Sequence, residues 1–312
     1  MSRIVVIGSS NTDMVVKSKK IPVPGETVLG GTFLMNPGGK GANQAVAAAR
    51  LEGNVTFVTK TGNDLFGEQA KHIFDFEGIN TRYIVKDPKN PSGIALIMVD
   101  QLGENCIVVA PGSNGTMSAY DIADEVYGND PSDVFLLQLE IPVSTVEFVA
   151  QKAFSNGNRV ILNPAPAKQL SDDLLSCLYA ITPNEGEAEM LTGVKVTDAA
   201  SAERSAEKLL EKGVRNVIIT LGAAGAYLLT EKVSKIIQVV PVKALDTTAA
   251  GDVFNGALAV AICEGKDLEE AVHFANKAAS RSVTRMGAQA SAPYRKEIQE
   301  IKEIKEIKEI KK

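Results

Sequence analysis

Toward the end of the chain, Asp246-Thr-Thr-Ala-Ala-Gly-Asp252-Val-Phe-Asn-Gly256 passes from a turn of small residues straight into an apolar helical stretch. Residues 247–251 carry little side chain, so successive backbone N–H groups can converge on one point. The positive end of the following helix dipole adds attraction for a phosphate there. A carboxylate at that junction would repel the phosphate unless its task is to take a proton from the group that attacks it. The turn therefore reads as a phosphoryl-transfer centre, with an anion hole at Ala249–Gly251 and Asp252 as general base. The competing reading is that Asp252 only caps a helix running from Val253 to Glu264.

A second Gly-rich turn, Asn36-Pro-Gly-Gly-Lys-Gly-Ala-Asn43, fails both common nucleotide patterns. Leu34 stands where G-x-x-x-x-G-K-[ST] needs its first Gly, Gly41 where it needs Ser or Thr, and Gln44 where G-x-G-x-x-G needs its third Gly. What it offers is an open backbone with Lys40 and Asn43 as polar groups, which suits a polyhydroxylated ligand. Asn11 and Asp13 close the first strand and Glu140 follows another, so these groups should face the crevice at the strand ends where α/β sheets bind ligands. Downstream, Asn184-Glu-Gly-Glu187 opens a helix after a strand, consistent with capping or with holding a hydrated Mg²⁺ on nucleotide phosphates. Thr220-Leu-Gly222-Ala-Ala-Gly225 follows another strand, where a flat base or a phosphate could approach the backbone.

These residues need elements to hold them, and the chain alternates short Val/Ile/Leu runs with amphipathic helical patterns. Strands are expected at residues 4–7, 56–59, 134–139, 159–162, 179–182, 216–220 and 226–229. Helices are expected at 42–51, 66–77, 144–155, 185–191, 202–212, 252–264 and 268–284. The order implies a three-layer α/β/α fold with a mostly parallel central sheet. Ser92–Val99 and Asn105–Val109, joined by a Gly-bearing turn, should form an antiparallel hairpin. With the strand-like Pro22–Phe33 it would make a small β-sheet lid, drawn from about residues 14–36 and 91–110. The chain thus reads as one α/β domain over 1–294, followed by a charged tail over 295–312. Ile recurs there every third residue, a period that spirals around a helix and favours a solvated, fraying end.

Composition narrows the partner. The chain of 312 residues carries a net charge of −5, yet residues 295–312 hold seven Lys or Arg against five Glu, so the body is more acidic still. This disfavours a nucleic-acid or anionic-membrane surface and points to a small molecule. No apolar run reaches the roughly 18 residues of a membrane span, and the chain opens at once on a strand with no signal-peptide pattern. Cys106, Cys177 and Cys263 are widely spaced, which suggests a reducing, cytoplasmic setting. With His72 and His273 as the only histidines, a His-based metal cage or a Ser-His-Asp triad is disfavoured.

Taken in order from residue 8 to about 295, Asn11-x-Asp13, Gly38-Gly-Lys-Gly-Ala-Asn43, Glu140, Asn184-x-x-Glu187, Thr220-Leu-Gly222 and Asp246-Thr-Thr-Ala-Ala-Gly-Asp252 resemble the ribokinase-like carbohydrate kinase superfamily. The resemblance implies ATP-dependent phosphorylation of D-ribose at O5, a Mg²⁺ requirement, activation by K⁺ and a homodimer joined through the β lid. Carried over by position, Asn11, Asp13, Gly39, Lys40, Asn43 and Glu140 would hold the sugar with Asp252 as base. Asn184, Thr220, Gly222, Gly225, Gly251 and Asn276 would line the ATP site, and Glu187 would order the metal and its waters. Asp246, Thr248, Ser282, Arg285, Gly287 and Ser291 would supply oxygen atoms to K⁺. The superfamily commonly has Gly-Ala-Gly-Asp where this chain has Ala249-Ala250-Gly251-Asp252, a change that matters only if φ is positive at residue 249. A kinase for deoxyribose, fructose or a nucleoside would share the turn but differ at Asn11, Asp13, Lys40 and Glu140. A dinucleotide-dependent oxidoreductase lacks its G-x-G-x-x-G, and a silent sugar sensor would not need Asp252, Asn184 and Glu187.

Overall fold

The computed structural model describes residues 2–128 and 130–299. Its first part comprises β1 (Ile4–Ile7), β2 (Asn11–Lys17), β3 (Thr32–Gly38), α1 (Lys40–Arg50), β4 (Val55–Val58), β5 (Lys60–Gly62) and α2 (Leu65–Phe76). Then come β6 (Val85–Asp87), β7 (Gly93–Val99), β8 (Asn105–Ala110), β9 (Val134–Leu137), α3 (Val143–Ser155), β10 (Arg159–Leu162), α4 (Asp172–Ser176) and β11 (Ala180–Ile181). The chain continues through α5 (Glu185–Thr192), α6 (Ala199–Glu211), β12 (Val217–Thr220), β13 (Ala226–Leu229), β14 (Ser234–Ile237), α7 (Ala250–Cys263) and α8 (Leu268–Ser282).

Among the described residues the main sheet runs β14-β13-β12-β11-β10-β9-β1-β4. It is parallel from β12 to β4 and closes with two antiparallel strands, β13 and β14. Alternation along β1 explains the layers: Ile4 and Val6 pack into one core with α1, α7 and α8, whereas Val5 and Ile7 pack into the other with α3 and α6. Both faces of the sheet are thus covered, the three-layer α/β/α arrangement expected. β1 is flanked by β4 and β9, so the connections leaving β1 and β9 diverge and open a crevice at their carboxyl ends.

The second sheet, β3-β2-β7-β8, stands apart from the first. Its β7–β8 hairpin pairs antiparallel from Ile94↔Ala110 to Val99↔Asn105, as anticipated. Of Pro22–Phe33, expected as a strand, only Thr32 and Phe33 are, as the start of β3. β2 and β3 pair from Asn11↔Gly38 to Lys17↔Thr32, and the Pro- and Gly-rich segment between them is a connection with a turn where Glu26 N–H donates to Val23 O (2.9 Å). Pro22 and Pro24 supply no ladder donor and Gly25 and Gly30 take positive φ, which together keep residues 22–31 out of the sheet. Asn11 and Asp13 accordingly lie on β2, not at the end of the first strand. Being two residues apart, they share one face of the small sheet.

Most of the isoleucine-rich tail lies outside the described residues. Within them Ile298 is buried in the core, and Glu297 pairs with Arg285 and Arg281. No helix among the described residues is long and apolar enough to cross a membrane.

Candidate active site

The crevice at β1 and β9 gathers the first group of polar residues. Glu140, just past β9, accepts from Ser9 Oγ–H (2.5 Å) and from the Lys40 backbone N–H (2.9 Å), so its carboxylate sits at the positive end of α1. Two glycines permit this approach. Gly39 caps α1 with φ +89°, and a Cβ on Gly41 would lie 2.6 Å from Ser9 N. Asn11 is oriented by Asn114, whose Nδ2–H donates to Asn11 Oδ1 (2.8 Å), which leaves the Asn11 amide nitrogen for a ligand. Asp13 lies over Gly38, where a Cβ would meet its carboxyl group at 2.3 Å.

Asp252 enters the same space from α7, which packs beside α1 on the same face of the main sheet. α7 begins at Ala250 with Ala249 as its N-cap and no side-chain cap, so Asp252 belongs to the first turn and is not a capping residue. Its oxygens accept from Asn43 Nδ2–H (2.9 Å) and Gln44 Nε2–H (3.0 Å) on α1. Gly256, one turn further on, makes that reach possible, since its bare Cα lets α7 lie directly against the Gln44 carbonyl and Ala47. Ala249 and Gly251 N–H groups, with that of Asp252, have no acceptor among the described residues, while Ala250 N–H donates to Thr247 O (3.2 Å).

The charges form one cluster. Burial raises Asp252 above the ordinary carboxylate range; Lys40, Asn43 and Gln44 oppose the rise and Glu140 adds to it. Burial, reinforced by Glu140 and Asp252, raises Asp13 to about 6. Burial by itself would lower Lys40, but Asp252, Glu140 and Glu187 outweigh it and raise the ammonium. Burial also raises Glu187, against the Asn184 N–H and Lys40 and with Asp252. One cation among four acids leaves room for a neutral, hydroxyl-rich ligand that can donate to them.

A cleft of about 380 Å³ adjoins this cluster. Asn184, Thr220, Gly222, Gly225, Gly251 and Asn276, all expected at a nucleotide, line it together. β11 and β12 deliver two of them: Thr220 N–H donates to Pro183 O (2.9 Å), which sets Thr220 beside Asn184. Glu187 does not line the cleft but closes a reciprocal cap with Asn184 at the start of α5. Val240, Pro241, Val242, Phe254 and Val283 give the cleft apolar walls suited to a flat ring.

Residues 1–295 match the family described as pfkB family carbohydrate kinase. The chain belongs to the pfkB carbohydrate kinase family. It is 46% identical over 294 residues to a ribokinase of Haemophilus influenzae, a match covering 94% of this chain and 96% of that one. A crystal structure of ribokinase from Thermotoga maritima superposes with a TM-score of 0.89 at 41% identity, covering 96% and 98% of the two chains. A ribokinase of Arabidopsis thaliana, solved with ribose and ATP, superposes with a TM-score of 0.90 at 33% identity over 96% and 98%.

In this pfkB family kinase the loops expected at K⁺ are tied together by one side chain. Asp246 accepts from Thr248 N–H (2.9 Å) and Gly287 N–H (2.7 Å), bridging the turn before α7 to the segment after α8. Although burial opposes it, these contacts hold Asp246 below its usual range. Arg285 N–H donates to Ser282 O, the Arg285 side chain turns to Glu297, and Ser291 Oγ–H donates to Ala288 O. The carbonyls of Thr248, Arg285 and Gly287 accept no hydrogen bond among the described residues, so oxygen donors remain for a hard monovalent cation. No group of three or more His, Cys, Asp or Glu among the described residues could form a conventional metal cage.

The alanine at residue 249 does take a left-handed conformation, φ 59°. It is therefore the residue at which the departure from glycine is felt. Ala249→Gly is expected to stabilise the kinase by about 0.5–1 kcal/mol, the relief of about 1–2 kcal/mol of left-handed strain less the greater freedom of glycine in the unfolded chain. Urea unfolding of both proteins checks it.

Sequence reasoning missed Ser9, Asn114, Gln138 and the wall at residues 239–244, and met Gln44 only as the residue that spoils a dinucleotide pattern. The available signal was polar side chains inside apolar runs: Gln44 in the alanine-rich α1, and Gln138 next to the buried β9.

Proposed function

We propose that the chain transfers the γ-phosphoryl group of ATP to O5 of D-ribose, giving D-ribose 5-phosphate and ADP, with Asp252 as general base. The observation that carries this reading is the position of Asp252, held by α1 at the junction between the Asp13–Lys40–Glu140 cluster and the cleft lined by Gly251. Asn11, Asp13, Gly39, Lys40, Asn43 and Glu140 bind the sugar hydroxyls and aim O5. Asn184, Thr220, Gly222, Gly225, Gly251 and Asn276 bind the nucleotide.

As the O5–P bond forms and the bond to the ADP oxygen breaks, the O5 proton passes to Asp252, while the Ala249 and Gly251 N–H groups take up charge on the transferring phosphoryl oxygens. Help from a base of this kind is worth about 10²–10⁴ in rate. Glu187 would order a Mg²⁺ and its waters, which when bound neutralises phosphate charge. Asp246, Thr248, Ser282, Arg285, Gly287 and Ser291 would hold K⁺, which when bound stiffens the turn that carries the amides. ADP release coupled to ribose, against a panel containing 2-deoxyribose, fructose and a nucleoside, tests the assignment. Turnover highest with ribose supports it, whereas preference for another sugar moves the chain elsewhere in its family.

Asp13 should make ribose use pH-dependent. Raised to about 6, it is a carboxylate able to accept sugar hydroxyls above that pH and is protonated below it. The profile of kcat/KM is expected to fall on the acid side with an apparent pKa near 6, a limb that Asp13→Asn displaces.

The small sheet is read as a lid and as the surface of a homodimer. On the face opposite Asp13, Val16, Phe33, Met35, Leu96 and Val108 are all exposed, an apolar patch large for a monomer. Sedimentation of the intact protein as a dimer, and of Val108→Glu as a monomer, would bear this out. The three free cysteines suit a cytoplasmic setting.

A further inference from the structure

Two glutamine side chains sit fully buried in the polar seam between α1, β9 and α7. Gln138 Nε2–H donates to Gln44 Oε1 (2.6 Å) and reaches the Leu136 carbonyl at 3.4 Å. Gln44 Nε2–H in turn donates to Asp252 Oδ1 (3.0 Å). The direction of this chain is determined by its far end. Among the described residues Gln138 Oε1 has no hydrogen-bond partner, and it lies against Gly8, where an added Cβ would come within 2.0 Å of it. Rotating the Gln138 amide would set that oxygen against the Leu136 carbonyl, an acceptor facing an acceptor, and at the other end the Asp252 carboxylate accepts and calls for an N–H from Gln44. Gln44 therefore has to face Gln138 with its oxygen and Asp252 with its N–H.

We propose that Gln44, locked by Gln138, is a positioning residue for Asp252: it fixes the carboxyl group toward the acceptor hydroxyl and favours its ionised form. The inference rests on Asp252 being the base. With Asn43 Nδ2–H on the other oxygen, each Asp252 oxygen receives an N–H that can donate but not accept. On Oδ1, the side that Gln44 holds, a protonated Asp252 finds no acceptor, so the locked amide joins Asn43 in opposing the burial that pushes the carboxyl upward. The charged groups facing Asp252 are Lys40 from α1, Glu140 from the segment after β9, Asp13 from β2 and Glu187 from α5. None of them is altered by replacing either glutamine.

The test uses the full chain with Gln44→Met and Gln138→Met, each also combined with Asp252→Asn, assayed by ADP release with ribose across about pH 5 to 9. In Gln44→Met the acid limb of kcat is expected to move up by about half to one pH unit, kcat near neutrality to fall about 3–10-fold, and the ribose KM to change by less than about twofold. Gln138→Met, which touches Asp252 only through Gln44, should show the same displacement at smaller size and serves if Gln44→Met does not fold. In the Asp252→Asn background either change should cost less than about twofold. An unmoved acid limb in a folded variant, or the same fold-loss with and without Asp252, overturns the proposal. Wild-type turnover by Asp252→Asn alone would instead remove the base assignment on which it stands.

Discussion

Asp252→Asn is expected to lower kcat by at least about 10² while the KM for ribose changes little. The amide has the shape of the carboxyl group and can still accept one of the N–H groups offered by Asn43 and Gln44, but it cannot take the proton. The fall should not reflect unfolding. Burial raises Asp252 in the folded chain, so its contribution to stability is present at low pH and is lost as pH rises through the raised value. At neutral pH the ionised group therefore weakens the fold, and Asn43, whose Oδ1 has no partner among the described residues, can rotate to accept from the new amide, so Asn at 252 should leave the melting temperature unchanged or higher. Steady-state kinetics of ADP release beside a thermal melt check both halves. A rise in KM at constant kcat would show a residue that binds and does not react.

Gly256→Ala is expected to damage both the fold and the site. The new Cβ would lie 2.8 Å from the Gln44 carbonyl oxygen, 2.9 Å from Ala47 Cβ and 3.0 Å from Ala48 N. These are mostly backbone atoms of a buried helix and cannot swing aside, so α7 has to move off α1. Overpacking of this kind costs about 1–3 kcal/mol. The displacement is also felt one turn away at Asp252, where a misplacement of about 1 Å can reduce the rate about 10²-fold. A drop in both urea midpoint and kcat is the expected result. Full activity with a lowered midpoint would show that Asp252 is held independently of the α1–α7 contact.

Much of this was legible without coordinates because it is local. The Val/Ile/Leu runs that became β1, β10 and β13 keep the ends read from their hydrophobicity, since a strand covered on both faces must be apolar throughout. The small-residue turn before Asp252 and the Gly-rich turn before α1 announce themselves by composition. Residues 22–31 misled because β-branched residues and glycine there looked strand-like, whereas Pro22 and Pro24 supply no ladder donor; only Thr32 and Phe33 join β3. The short α4 escaped because five residues hold too little periodicity to read.

By itself, then, the sequence determined most strands and helices of the main α/β layers, the two Gly-rich turns and the family that their residues resemble, all of which depend on residues near one another in the chain. Only the tertiary structure decided that Asp252 lies in the first turn of α7, that Ala249 is left-handed, and that Gln44 reaches Asp252 across 208 positions and Gln138 across 94. The reason is physical: hydrophobic period and turn chemistry act over a few residues, but the direction of a buried hydrogen bond depends on which layers of the fold are brought together around it.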